Sequence, residues 1–167
     1  MKLRLVFLFV FLAFLSCKRQ SDSKIEREGE PDVFNVSDSD AEMNIAMETA
    51  RNTIGVFTKA LESENPDMEF FTIKQQFSGP NNDEHIWITD IEIVDGELTG
   101  TVNNDPIYTT EIKLGDAITI DKARISDWMF FEKGVVKGGY TMKVIRNNMS
   151  EEERKQFDLE SGLIFED

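Results

Sequence analysis

Histidine and cysteine are nearly missing from this sequence, which has one of each in 167 residues. A single cysteine closes no internal disulfide. A single histidine, His85, leaves nothing spare for a zinc site or a Ser-His-Asp triad. Basic residues are scarce too: 18 Lys and Arg stand against 32 Asp and Glu, a net charge of −14. That field repels nucleic acid, which is excluded as a partner, and attracts cations or basic proteins. No glycine loop of the phosphate-cradling kind occurs, and no EF-hand spacing, so no cofactor is implied. Long apolar runs are absent everywhere except at the start of the chain.

That start has a clear pattern. Lys2 and Arg4 precede an unbroken apolar run from Leu5 to Leu15. At 1.5 Å per residue the run covers only about half of a ~30 Å hydrocarbon core, which suits a signal segment and not a membrane span. Leu15-Ser16-Cys17 follows and resembles the lipobox of bacterial lipoproteins, although Phe14 departs from the usual aliphatic residue. The expectation is a leader over residues 1–16 and lipid attachment at Cys17. The protein would then be held at a bacterial envelope membrane, periplasmic or surface facing. Losing residues 1–16 removes Lys2, Arg4 and no acid, which takes the charge from −14 to −16. Residues 17–39 are polar and read as a flexible tether; residues 40–167 are of a size to form one domain.

Asp40 and its neighbours offer N-caps, and Glu42 suits the first turn of a helix. Met43, Met47, Ala50, Ile54, Phe57 and Leu61 then recur at spacings of three and four, one apolar stripe on a helix of about twenty residues. Asn65-Pro66 stops it. From Phe70 onward the period changes to two. Phe71, Ile73 and Phe77 share one face of a strand, with Lys74 and Gln76 on the other. Glu84 to Ile93 is mixed, which fits either a strand covered on both faces or a bulge near Thr89-Asp90. Asp95-Gly96 marks a hairpin. Asn103-Asn104-Asp105-Pro106 must be a turn, and Ile107-Tyr108 is expected to pair briefly after it. Leu114-Gly115-Asp116 turns into Ala117–Ile120, with Ile118 and Ile120 inward, and Ile125–Phe131 gives a further strand. Tyr140 to Asn147 reads as helix, and Ser150 with Glu153 forms a capping box for another. The fold class is α+β: an amphipathic helix packed on a curled antiparallel sheet of five or six strands, nearly closed as a small barrel, with short C-terminal helices.

The sequence Glu84-His85-Ile86-Trp87-Ile88-Thr89-Asp90-Ile91 is followed by Gly100-Thr101-Val102-Asn103-Asn104-Asp105-Pro106, Leu114-Gly115-Asp116, Ile125-Ser126-Asp127-Trp128-Met129 and Gly138-Gly139-Tyr140-Thr141. In that order they resemble the YegJ-like bacterial proteins, over roughly Met43 to Gly162. The resemblance implies a compact bacterial domain, sometimes carried behind a signal peptide. It implies no activity and no catalytic residues.

Candidate binding residues are Trp87, Asp90, Asn103, Asn104, Asp105, Asp127 and Trp128. Two carboxylates among Asp90, Asp105 and Asp127, held close, could act as acid and base or hold a hard cation. Each residue also has a plain structural role, as a turn former or as a brace for a backbone end. At least one of the two tryptophans should be buried in the core. Three functions stand open. One is a non-enzymatic binding module for a small molecule or protein, using the Asn103–Pro106 turn and the Asp127-Trp128 region at one end of the sheet. The second is a small hydrolase with paired carboxylates. The third is an acidic inhibitor or immunity-like protein for a basic partner.

Overall fold

The computed structural model describes residues 40–80 and 82–166, and the backbone of a short antiparallel pair, Lys24–Ile25 with Val33–Phe34. The leader, Cys17 and most of the expected tether lie outside the described residues.

Helix α1 spans Ala41–Glu62. The Asp40 side chain caps it, accepting from the amides of Glu42 and Met43 at 2.9 and 3.1 Å, and Ser63 closes it just before Asn65-Pro66. Six strands follow in one antiparallel sheet: β1 (Met68–Phe77), β2 (Glu84–Val94), β3 (Glu97–Val102), β4 (Ala117–Thr119), β5 (Ile125–Glu132) and β6 (Val135–Gly138). Their order across the sheet is β4-β3-β2-β1-β5-β6. Helices α2 (Tyr140–Asn147) and α3 (Glu151–Ser161) follow, and the segment after α3 bridges back to β6 between Phe165 and Val136. The capping box of Ser150 and Glu153 is present, and Gly162 closes α3 in the left-handed region. The paired side chains of Arg146 and Asp158 tie α2 to α3 at 2.6 and 2.8 Å.

The sheet curls but does not close into a barrel: β4 and β6 remain its edges. The curl follows from one short connection. Between Thr119 and Ile125 the chain must pass from β4 to β5, four strand spacings or about 19 Å on a flat sheet. Six fully extended steps reach only about 20 Å. The turn Lys122–Arg124 is 3-10 helix, which rises only about 2 Å per residue. The span therefore fits only if the sheet bends toward itself. Ile120 N donates to Leu98 O on β3, and the next amide, Asp121, already donates to the Gln75 side chain on β1, at 2.8 and 2.7 Å.

The concave face holds the core. Ile73, Ile88, Leu98, Val102 and Ile125 are sealed there together with Trp128, and α1 lays Ala50 and Phe57 against it. Burying a side chain such as Phe57 contributes about 1.5–3 kcal/mol. Phe57 lies 5.4 to 6.3 Å from the rings of Phe71, Trp128 and Phe130. The mixed parity of β2 is resolved by a bulge. Ile86, Ile88 and Ile91 all face the core because an extra residue lies between Thr89 and Glu92, and Asp90 there has φ 50°. Gly100 sits across from it. A β-carbon there would lie 2.7 Å from Thr89 O and from Ile91 Cδ1, so only glycine lets β3 run past the bulge. On β1 a matching bulge between Glu69 and Thr72 puts Phe70 at φ 55°. Left-handed backbone in non-glycine residues costs on the order of 1–3 kcal/mol each and is held only by its surroundings.

A second expectation fails besides the barrel. Ile107-Tyr108 forms no strand; its amides are bound by a side chain instead.

Candidate functional site

The convex face of the sheet, away from α1, carries the side chains that alternate with the core positions. Register sets them in a row: Asn103 N donates to Trp87 O, Trp87 pairs with Lys74, and Lys74 with Asp127. The Asn103–Pro106 turn and the Ile125–Trp128 segment therefore do lie at one level of the sheet. They stand three strand spacings apart, about 14 Å. Lys74 fills the middle, its ammonium 4.8 Å from the centre of the Trp87 ring, a cation–π contact. Both residues are half-buried. Gln76 and His85 pair in the next row on the same face.

Asp127 is wholly buried, and its carboxylate is engaged on every side. Oδ1 accepts from the amides of Trp128 (2.8 Å) and Tyr140 (3.0 Å); Oδ2 accepts from the amide (2.9 Å) and hydroxyl (2.5 Å) of Thr141. Gly139, the residue before α2, has a left-handed φ of 64° and no side chain to cap the helix. Asp127 supplies that cap from a distant strand, where the helix dipole favours an acid. Burial pushes its carboxyl above the ordinary range, opposed by the charge of Lys74 and the donors of Thr141 and Trp128. Burial lowers Lys74, which the Asp127 charge opposes.

The other candidates are dispersed. Asn104 is buried, and its Oδ1 accepts from Trp87 N at 3.3 Å. Trp128 points to the core, 2% exposed, with its indole N–H on Ala50 O at 3.0 Å. Asp90 is exposed on the β2 bulge, three residues along the strand from Trp87 and two strands from Asp127, which is roughly 14 Å by strand geometry. That separation is too wide for a carboxylate pair, which works at about 5–10 Å. Asp105 remains in the turn. Among the described residues no group of three or more His, Cys, Asp or Glu could hold a metal ion.

Sequence reasoning missed two anchors. One is Lys74, which a plain polar alternation hides. The other is Glu84, 5% exposed at the start of β2. Its carboxylate accepts from the amides of Ile107, Tyr108 and Thr109 at 2.8 to 3.2 Å, so three successive amides of the long loop between β3 and β4 are held by one side chain. The only sequence signal was an acid at a strand start with a turn-rich segment some twenty residues later. Glu84→Ala leaves three amides unpaired, a cost of about 1–3 kcal/mol if they stay dry. Amide exchange at Ile107–Thr109 should quicken roughly tenfold or more while α1 stays protected. Unchanged exchange in a folded variant would show that the loop is held elsewhere.

The fold and its anchored carboxylates define a class: an α+β domain with a curled open sheet and an acidic surface. The chain belongs to the bacterial family described as "Uncharacterized protein conserved in bacteria (DUF2314)", which matches residues 40–165. It is similar to the "Uncharacterized protein YegJ" of Escherichia coli, 31% identical over 100 residues, 60% of this chain and 64% of that protein. It is also 33% identical over 147 residues to a Neisseria meningitidis protein named "Putative ankyrin repeat protein", covering 83% of this chain and 58% of that one. The chain thus spans about three fifths of the length of these relatives. No solved structure matches it. No helix among the described residues is long and apolar enough to cross a membrane.

Proposed function

We propose that the chain is a lipoprotein of the bacterial envelope, anchored through Cys17, and that its domain is a non-enzymatic interaction module. The observation that carries the second half is the engagement of the buried acids. Asp127 and Glu84 spend their acceptors on the chain's own amides, and an acid that is sealed and fully bonded is a poor general base. What remains at the surface is an acidic exterior and the half-buried Trp87 row, features of recognition. The leader pattern of Lys2, Arg4, Leu5–Leu15 and Cys17 supports the anchor. The ankyrin-repeat name of the Neisseria relative fits a domain that travels with an interaction scaffold, since such repeats stack into extended binding surfaces. A net charge of −14 also favours, as a second reading, an inhibitor-like role toward a basic protein.

The test is made in bacteria fed labelled fatty acid, with a photo-cross-linking residue in place of Gln76 on the convex face or of Lys155 on α3. The label should enter the native chain and not Cys17→Ala. A discrete protein adduct should form from position 76 and not from 155. An unlabelled native chain overturns the anchor, and equal adducts from both positions overturn the convex face as the recognition surface.

A further inference from the structure

Strands β1 and β2 pair only from Ile73 and Ile88 to Phe77 and Glu84. Beyond Ile73 they part. Met68–Thr72 of β1 stays with β5, and Glu92–Val94 of β2 stays with β3. The two bulges cause this, for Phe70 and Asp90 turn the backbone at nearly the same level of both strands. The Thr72 hydroxyl donates to Ile88 O at 2.8 Å where the ladder ends. The sheet therefore has an interior split, and the side of β2 that faces β1 over Ile91–Val94 has no ladder partner among the described residues.

The end of α1 stands against Ile91–Ile93 of β2 where the two strands part. Together they leave a groove of about 490 Å³ lined by Leu61, Glu62, Glu64, Ile91, Glu92 and Ile93. Its apolar part is Ile91, buried, with half-buried Leu61 and Ile93, while the three glutamates are exposed at the rim. No basic residue lines it. An unpaired strand edge offers backbone hydrogen bonds to an added strand, and alternating pockets select its side chains.

We propose that this split is the docking cleft for a partner protein's extended basic segment, in which apolar and Lys or Arg residues alternate. The segment adds as a strand along Ile91–Val94. Its apolar side chains enter between Leu61 and Ile93, its alternating cations meet Glu92 on the other face of the sheet, and Glu62 and Glu64 at the helix end add to the negative field. The charge of the groove decides against an acidic or lipid occupant, because three carboxylates repel both. This names the partner chemistry of the interaction module and rests on that reading. The convex row around Trp87 is a separate surface.

The probe is a labelled peptide of alternating lysine and valine, titrated against the full chain in detergent at low and physiological salt. Glutamate-valine peptide is the control. Two variants carry the same charge change: Glu62→Lys with Glu92→Lys at the cleft, and Glu152→Lys with Glu160→Lys on α3. All four positions are exposed, so folding should survive, which Tm verifies. The expected result is binding of the lysine peptide alone, weakened at least ~10-fold by the cleft variant and under ~3-fold by the other. Amide exchange should slow at Ile91–Val94. Equal loss in both variants, exchange protection elsewhere, or no binding overturns the cleft. Because the test uses purified chain and cleft variants, failure here leaves the position-76 adduct and the fatty-acid label, and the module and envelope readings they test, to stand or fall separately.

Discussion

Replacing Asp127 by alanine should lower Tm by roughly 10–20 °C, the largest loss expected from any polar residue of this domain. The carboxylate accepts from three backbone amides and one hydroxyl. Without it the first turn of α2 loses its cap and Lys74 loses the opposing charge beside it. Breaking a buried, bonded charge costs about 3–5 kcal/mol, since the partners stay behind without acceptors. Asp127→Asn keeps the shape and one acceptor oxygen but turns an amide toward donors, so it should fall between. Asp90→Asn is the contrast. Asp90 is exposed, and asparagine tolerates its left-handed backbone, so the change should stay within about 0.5 kcal/mol. Thermal unfolding followed by circular dichroism compares the three. A drop below about 3 °C for Asp127→Ala would return this residue to the list of free binding groups.

That contrast shows where sequence was enough. Helix α1 was legible because its stripe repeats within twenty residues, and Asp95-Gly96 because a two-residue hairpin has its own chemistry; both residues take positive φ, 51° and 84°. The bulge at Asp90 was one of two readings of a broken alternation, and packing of Ile91 beside Ile88 selects it. Asp127 was ambiguous because its partners, Tyr140 and Thr141, lie thirteen and fourteen residues on, across a turn of two glycines. Nothing local says that a strand acid caps a later helix. The Glu84 loop anchor is non-local in the same way. The barrel expectation failed because curl can be read from a short crossover, but closure depends on whether β4 and β6 meet, which no pattern in either strand states. The cleft went unread because it is made by strands that separate, and periodicity reports only where strands pair.

The two tryptophans should behave as opposites, and the larger effect belongs to Trp128. Its ring stacks against Phe130 at 6.1 Å and meets Tyr140 edge-on at 5.5 Å, pairs worth about 0.5–1.5 kcal/mol each beyond burial. Its indole N–H fastens β5 to α1 at Ala50 O. Its other face lies on Gly138, where a β-carbon would stand 2.5 Å from Cε3 and 2.2 Å from Trp128 O; the bare glycine is what lets the ring seat. Trp128→Ala should therefore cost about 3–5 kcal/mol. Trp128→Phe keeps the stacking, loses the hydrogen bond and leaves a small void, for about 1–2.5 kcal/mol. Trp87 is half-buried on the convex face under the Lys74 ammonium, so Trp87→Phe should cost under about 1 kcal/mol. Fluorescence separates the two rings. The native chain should emit as a blue-shifted and a red-shifted component; Trp128→Phe should remove the blue one and Trp87→Phe the red. If Trp87→Phe destabilises the chain more than Trp128→Phe, or removes the blue component, the assignment of the two sheet faces is wrong.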